Sequence, residues 1–158
     1  MLKDITVLLS AIGSPSSPGF LNWLHSNGER KIRVVGMDMA EEPSCKYLAD
    51  SFYRVPPVTD PHYCDLVLDI CKKEKVDVYL PGISEEVSAV SRRRTEFEAL
   101  GTIVSISDPK VVDIANNKLT AYKFLKKKGI SIILFKDMKI GEYLRNIYII
   151  RIIMAFVI

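Results

Sequence analysis

The chain has 158 residues, of which 48% are hydrophobic and 26% charged, and its formal net charge is +3. That length predicts one domain and the beginning of a second. The small net charge excludes a typical nucleic-acid-binding surface, and no apolar run reaches the roughly 20 residues that span a bilayer. Three cysteines without a C-x-x-C pair indicate buried thiols in a reducing cytosol. We therefore expect a cytoplasmic protein with no membrane or nucleic-acid partner.

Short β-branched runs alternate with helical patterns from the first residues onward. Strands are predicted at 5–9, 32–38, 51–55, 76–80 and 102–106. This alternation requires crossover connections, which produce a parallel sheet with helices on both faces. The sequence therefore predicts a Rossmann-like α/β fold whose ligands lie beyond the carboxyl ends of the strands.

Prolines and small polar residues mark where the helices begin. Ser17 and Pro18 start the first predicted helix, which ends at Gly28, and Asp60 with Pro61 starts the second. The segment "PGISEE" turns into a third helix that runs to about Leu100. Asp108 and Pro109 start a short helix, and Asn116 or Asn117 caps the last one.

The loop after the first strand contains Gly13 and Ser14 and leads to a helix N-terminus. Free amides and the helix dipole there favour an anion or a substrate group. Asp38, 25 residues after Gly13, could instead pair with the ribose of a nicotinamide cofactor, although the G-x-G-x-x-G pattern is absent. A plain connecting loop is the third interpretation.

Two further positions are candidates for ligand contact. Glu85 and Glu86 stand in the first turn after the fourth strand, where acidic residues also favour the helix dipole without any ligand. Lys118 lies at the start of its helix and opposes the dipole there by about 0.3–1 kcal/mol. A bound polyphosphate would reverse that penalty, so Lys118 is a candidate phosphate contact.

Three segments, "YLADSFYRVP", "DPHYCDLVLDICKKEKVDVYLPGISEE" and "SDPKVVDIANNKLTAYKFLKKKGI", together carry a family resemblance. They resemble the N-terminal region of ATP-grasp ligases, in particular the group similar to the carbamoyl-phosphate synthase large chain. The resemblance covers roughly residues 4–130. It implies a pre-ATP-grasp domain over residues 1–115, followed over 116–158 by the first helix of the nucleotide-binding part and an aberrant apolar tail.

The same resemblance implies an activity and a set of site residues. Such enzymes bind Mg²⁺ and ATP, activate a carboxylate as an acyl phosphate, and join it to an amine or ammonia. Lys118 matches the family lysine that reaches the ATP phosphates, whereas Asn117 stands where the family usually has Asp. Ser14, Ser84 and Glu85, with Gly13 beside them, are implied on the substrate side.

The chain departs from the family after residue 130. Residues 131–158, "SIILFKDMKIGEYLRNIYIIRIIMAFVI", contain no glycine-rich flap, and no acidic pair for a metal ion lies beyond Glu142. We therefore expect a truncated start of the ATP-grasp domain that is inactive alone, through a frameshift or an artificially ended reading frame. The alternative is a stand-alone Rossmann-like module that binds a nucleotide or metabolite, in which the apolar tail or a sheet edge supports a homodimer.

Overall fold

A computed structural model describes residues 2–130, in which five strands alternate with helices. The strands are β1 (Ile5–Ser10), β2 (Ile32–Asp38), β3 (Ser51–Arg54), β4 (Val78–Leu80) and β5 (Ile103–Val104). The helices are α1 (Ser17–His25), α2 (Tyr63–Glu74), α3 (Ser84–Arg92), α4 (Arg94–Ala99), α5 (Pro109–Asn116) and α6 (Lys118–Lys127). A 3₁₀ turn, Lys46–Leu48, precedes β3.

All five strands pair in parallel in one sheet, in the order β3-β2-β1-β4-β5. The chain passes from β1 to β2 on one side and later returns to place β4 on the other side of β1. This reversal makes the carboxyl ends of β1 and β4 the switch point of the sheet, which is where open α/β folds bind ligands. The predicted Rossmann-like α/β class is confirmed.

The apolar side chains of β1 point alternately to the two faces of the sheet, and they contribute to a hydrophobic core on each face. Val7 and Leu9 pack with Leu21 and Leu24 of α1 in one buried cluster. Leu8 points to the other face and belongs to the larger cluster formed with the second and fourth helices. Because successive side chains of a strand point to opposite faces, an unbroken apolar run at β1 requires cover on both sides.

Three predicted boundaries of helices are wrong. Helix α2 begins at Tyr63 rather than at Asp60, because the Asp60 carboxylate accepts a hydrogen bond from the His62 amide at 2.8 Å and forms a turn before the helix. Helix α1 ends at His25, before Gly28. The third predicted helix is broken at Arg93, which has φ −114° and ψ 14°, so that α3 and α4 are separate.

The chain divides into two compact units, with the division between Ile106 and Ser107. Within the second unit, the side chain of Asp108 caps α5 by accepting from the Lys110 amide at 2.9 Å. The Asn117 side chain caps α6 in the same way through the Thr120 amide at 3.0 Å. The division at residues 115 and 116 that the resemblance implies stays a prediction.

The expectations about the apolar tail, the missing flap and a tail-mediated homodimer fall on residues 131–158, outside the described residues. Over residues 2–130, none of the helices has both the length and the apolar character needed to cross a membrane.

Candidate functional site

A cavity of about 410 Å³ opens where β1 and β2 end and where the chain leaves β3. Its size lies within the range of small-molecule sites, about 300–1,000 Å³. Most of its wall is apolar and comes from the ends of β2 and β3 and from the loop before α3. These apolar wall residues are Met37, Met39, Val55, Pro56, Pro57, Val58 and Ile83. We call this space the main cavity.

The charged side chains that line the main cavity are all acidic. They are Asp38 from β2 and the adjacent pair Glu85 and Glu86 from α3. None of the described residues that line this cavity is a lysine, an arginine or a histidine. Carboxylates beside an apolar wall attract a positively charged ligand group and oppose an anionic one.

Asp38 also anchors the loop that follows β1. One of its carboxylate oxygens accepts from the Gly13 amide at 2.8 Å, and the other accepts from the Ala40 amide at 2.9 Å. The acid that the nicotinamide interpretation assigns to a ribose therefore already has a backbone partner on each oxygen. Gly13 contacts Asp38 and does not line the main cavity, whereas Ser14 does.

The amides of the loop after β1 are engaged within the protein. Ser14 donates to the Ala11 carbonyl at 2.9 Å, and Ser17 donates to the Ser14 carbonyl at 3.0 Å. Ser16 donates to the Ser14 hydroxyl at 3.3 Å, and Gly13 is bound to Asp38. A phosphate in this loop would have to displace these bonds, so the loop is better suited to shaping a cavity than to cradling an anion.

A second cavity of about 260 Å³ lies at the switch point, between the ends of β1 and β4. Hydroxyl groups of the loop after β1 form part of its wall, together with Phe20 of α1 and the Pro81–Gly82 segment. Ser10, Ala11 and Ser14 line both this space and the main cavity. We call it the switch-point cavity.

Glu86, which the resemblance did not include among the substrate-side residues, is fully buried beside the main cavity. Its carboxylate accepts hydrogen bonds from the hydroxyls of Ser10, Tyr63 and Tyr79 and from the Gly82 amide. The Tyr63 bond is 2.6 Å long and the Gly82 bond 3.0 Å. Four donors surround one carboxylate, which satisfies a buried group that would otherwise be costly.

The two tyrosines in this cluster hold their protons. Burial, followed by the negative charge of Glu86, raises the pKa of Tyr63 well above its ordinary value. The same two causes, with Tyr63 beside them, raise the pKa of Tyr79. Both hydroxyls therefore act as hydrogen-bond donors to Glu86 near neutral pH.

The position of Glu86 on α3 is the signal that could have distinguished it from its neighbour. Glu86 lies one helical turn before the buried Val90, on the inner face of the helix, whereas Glu85 is exposed. Ser84 is the first residue of α3 and does not line the main cavity, but the preceding Ile83 does.

Lys118 is the first residue of α6 and is exposed, directly after the capping residue Asn117. It belongs to the second compact unit, whereas the residues that line the two cavities belong to the first. In the described part of the chain, no three His, Cys, Asp or Glu side chains are grouped closely enough to hold a metal ion.

Solved structures with the same fold are distant in sequence. Pyruvate carboxylase from Rhizobium etli aligns over 85% of this chain with 18% identity and a TM-score of 0.61. N5-carboxyaminoimidazole synthetase from Staphylococcus aureus, complexed with ADP, aligns over 84% with 17% identity and a TM-score of 0.59. Glycinamide-RNase-transformylase T from Mycobacterium tuberculosis aligns over 78% with 13% identity and a TM-score of 0.58.

The aligned part is 13%, 32% and 35% of those three proteins, so this chain spans about a third of their length or less. No curated protein matches the sequence closely enough to count as a relative. The sequence model of the PylC-like N-terminal domain matches residues 20–105, more than half of the chain. Together with the fold, this match confirms the resemblance to the N-terminal region of ATP-grasp ligases, and the chain belongs to the PylC-like N-terminal domain family.

Proposed function

We propose that this chain is the N-terminal part of an ATP-dependent ligase similar to the carbamoyl-phosphate synthase large chain, which forms a carbon–nitrogen bond through an acyl phosphate. The observation that supports this best is the acid-lined main cavity at the carboxyl edge of the sheet, in a chain of the PylC-like family. On this proposal the unit up to Ile106 contributes to the site of the small-molecule substrates.

The main cavity is assigned to the amine substrate. Asp38 and Glu85 supply negative charge at the cavity, and the apolar wall near Met37 and Ile83 suits a hydrocarbon body. Ser14 adds a hydroxyl at the same cavity. Ser84 and Gly13 then support the two loops that carry these groups, since each lies directly before or beside a lining residue.

ATP is the cofactor that this proposal requires, and it supplies the phosphoryl group that activates the carboxylate. Lys118 is assigned to its phosphates, because the residue is exposed at the first position of a ten-residue helix. The positive end of that helix and the lysine charge act on an anion in the same direction. Mg²⁺ is expected to accompany the nucleotide, and a cytoplasmic location is expected for the ligase.

The assignment of Lys118 is tested by titrating the 158-residue chain with Mg-ATP and following backbone amide signals by NMR. Lys118→Ala should weaken binding about tenfold or more, because a hydrogen bond to a charged group contributes about 1.5–3 kcal/mol. Lys123→Ala removes the same charge from an exposed position of the same helix and should change affinity by less than about twofold. Equal effects of the two variants would refute the assignment.

The assignment of the main cavity is tested with a matched pair of small probes, n-butylammonium and n-butyrate. We expect n-butylammonium to shift signals of Met37, Met39 and Ile83, and n-butyrate to leave them unchanged. Glu85→Gln should weaken n-butylammonium binding, while Glu98→Gln on the exposed face of α4 should not. Preferential binding of n-butyrate would exclude the cation assignment.

The chain by itself is expected to form no acyl phosphate from Mg-ATP and a carboxylate, because it spans a third or less of the solved proteins that share its fold. Hydroxylamine trapping of acyl phosphate measures this directly. Product above a blank without enzyme would contradict this expectation.

One observation favours a second candidate, a stand-alone nucleotide- or metabolite-binding module. The main cavity is built entirely from residues 10–86, within the first compact unit. In such a module a nucleotide or metabolite would bind with an affinity that Lys118→Ala leaves unchanged. The same Lys118→Ala and Lys123→Ala titrations therefore distinguish the two candidates. A homodimer through a sheet edge stays a prediction that sedimentation of the full chain would test.

A further inference from the structure

We infer that Glu86 is a positioning residue: its buried carboxylate holds the Pro81–Ile83 loop against the end of β1 and so sets the wall between the main cavity and the switch-point cavity. Glu85, one residue earlier, is then the glutamate that meets the ligand. The inference rests on the proposed function only in treating the main cavity as the ligand site.

One oxygen of the Glu86 carboxylate connects the ends of the two strands at the switch point. Oε2 accepts from the Ser10 hydroxyl, at the end of β1, and from the Gly82 amide, two residues after β4. The same amide also lies 2.6 Å from the Ser10 hydroxyl oxygen. These three groups form a closed ring of hydrogen bonds between segments that are about 70 residues apart in the chain.

The other oxygen fixes the carboxylate itself. Oε1 accepts from the hydroxyls of Tyr63, at the start of α2, and Tyr79, in the centre of β4. Tyr79 is fully buried, packs against Phe97, and lines neither cavity. Its hydroxyl therefore acts on a ligand in the main cavity only indirectly, through Glu86 and through the neighbouring Tyr63 hydroxyl.

The loop that Glu86 holds forms part of both cavities. Gly82 lines the switch-point cavity, while Ile83 and Glu85, which follow it, line the main cavity. The loop lies so close to β1 that a Cβ atom at Gly82 would come within 2.7 Å of the Ser10 carbonyl oxygen. A displacement of the loop away from Ser10 would change the shape of both cavities.

Burial separates the roles of the two glutamates. Glu86 is 0% exposed and its two oxygens already accept four hydrogen bonds. Glu85 is exposed at the rim of the main cavity. An amine ligand can pair with Glu85 without displacing any of these four bonds, whereas pairing with Glu86 would displace at least one of its four donors.

The test uses a tyrosine that never contacts the ligand and a matched control elsewhere. Tyr79→Phe removes one hydroxyl donor from Glu86, and Tyr53→Phe removes the equivalent hydroxyl donor from Glu74, which lies outside both cavities. For each full-length variant we would measure the Gly82 amide exchange rate and chemical shift, and the affinity for n-butylammonium.

Tyr79→Phe should raise the Gly82 exchange rate about threefold or more and weaken n-butylammonium binding by a similar factor, because the carboxylate loses one of its strong donors. Tyr53→Phe should leave the Gly82 exchange rate and the n-butylammonium affinity unchanged, even if it destabilises the protein as much as Tyr79→Phe does. Glu86→Gln, which keeps an acceptor oxygen, should retain more of the Gly82 protection than Glu86→Ala.

An unchanged Gly82 amide in Tyr79→Phe, or an equal change in Tyr53→Phe, would overturn the inference. The Gly82 measurement needs no ligand. If wild-type protein fails to bind n-butylammonium, the ligand assignment of the main cavity is refuted. The exchange rate of the Gly82 amide in the variants still tests the role of Glu86.

Discussion

The carboxylate of Asp38 accepts a hydrogen bond from the backbone amide of Gly13 at 2.8 Å, although 25 residues separate them in the chain. This bond ties the loop after β1 to the end of β2, at the edge of the main cavity. It gives Asp38 a structural role that is independent of any ligand. The nicotinamide interpretation related this acid and this glycine through a cofactor, whereas in the structure they contact each other directly.

We predict that Asp38→Ala lowers the free energy of unfolding by about 1–2 kcal/mol, because the Gly13 and Ala40 amides lose their acceptor. Asp38→Asn keeps one acceptor oxygen and should lower the free energy of unfolding by less than Asp38→Ala does. Urea denaturation followed by circular dichroism measures the difference. Asp69→Ala, on the exposed face of α2, is the control and should stay within about 0.5 kcal/mol of wild type. An equal loss in the control would argue against the anchoring role of Asp38.

Alanine substitutions at two glycines should change stability in opposite directions. At Gly82 an added Cβ would lie 2.7 Å from the Ser10 carbonyl oxygen, so Gly82→Ala must displace backbone and should destabilise by about 1–3 kcal/mol. At Gly19, within α1, a Cβ meets nothing within 4 Å, and Gly19→Ala should stabilise by up to about 1 kcal/mol. Thermal unfolding of both variants tests the pair. A stabilised Gly82→Ala variant would contradict the close approach of the loop to β1.

Glu74 should make the protein lose stability in acid. The Tyr53 hydroxyl, and after it the Arg33 guanidinium at 2.7 Å, hold the pKa of the Glu74 carboxyl below its ordinary range, against an opposing effect of burial. Because the pKa of Glu74 is lower in the folded state than in the unfolded state, its ion pair and hydrogen bonds contribute fully to stability above the unfolded-state pKa of about 4.3. That contribution to stability is lost as the pH falls through the folded-state pKa of Glu74.

Glu74→Gln should therefore destabilise the protein by about 1–3 kcal/mol near neutral pH and flatten the decline of stability below about pH 4.3. Urea midpoints measured across that pH range test the prediction. Glu29→Gln, at an exposed position before β2, should leave the pH profile as in wild type. Parallel profiles for wild type and Glu74→Gln would show that this carboxylate does not titrate differently in the folded state.

The three thiols should be inert in the folded protein. Cys45, Cys64 and Cys71 are buried and unpaired. Burial raises the pKa of the Cys71 thiol to about 12 and also raises that of Cys64, and the thiolate is the reactive form. A thiol-specific reagent at mildly alkaline pH should label none of the three until denaturant is added. Thr95→Cys, at an exposed position of α4, should be labelled at once and serves as the control. Rapid labelling of native Cys71 would show that α2 opens locally.

Local sequence was sufficient for the parallel α/β class and for the positions of most strands. The run at β2 was predicted with its observed bounds, 32–38, because a buried parallel strand is apolar almost throughout. The start of α2 was missed because Asp60 uses its carboxylate for a turn, which Asp-Pro pairs form as readily as a helix cap. The break at Arg93 was missed because the segment keeps a helical composition through Phe97, which is buried in the core.

The sequence by itself determined the order of elements, the helix that follows the Asn116–Asn117 pair, and the family resemblance, since each depends on neighbouring residues or on a motif. It left open which of the two asparagines is the cap, and the structure assigns that role to Asn117. Only the tertiary structure decided which of two adjacent glutamates is buried and what surrounds it. The partners of Glu86 come from β1, α2 and β4, and one of them lies 76 residues away in the chain. Such a cluster forms because parallel strands bring their carboxyl ends to one edge of the sheet, and no local pattern specifies which side chains meet there.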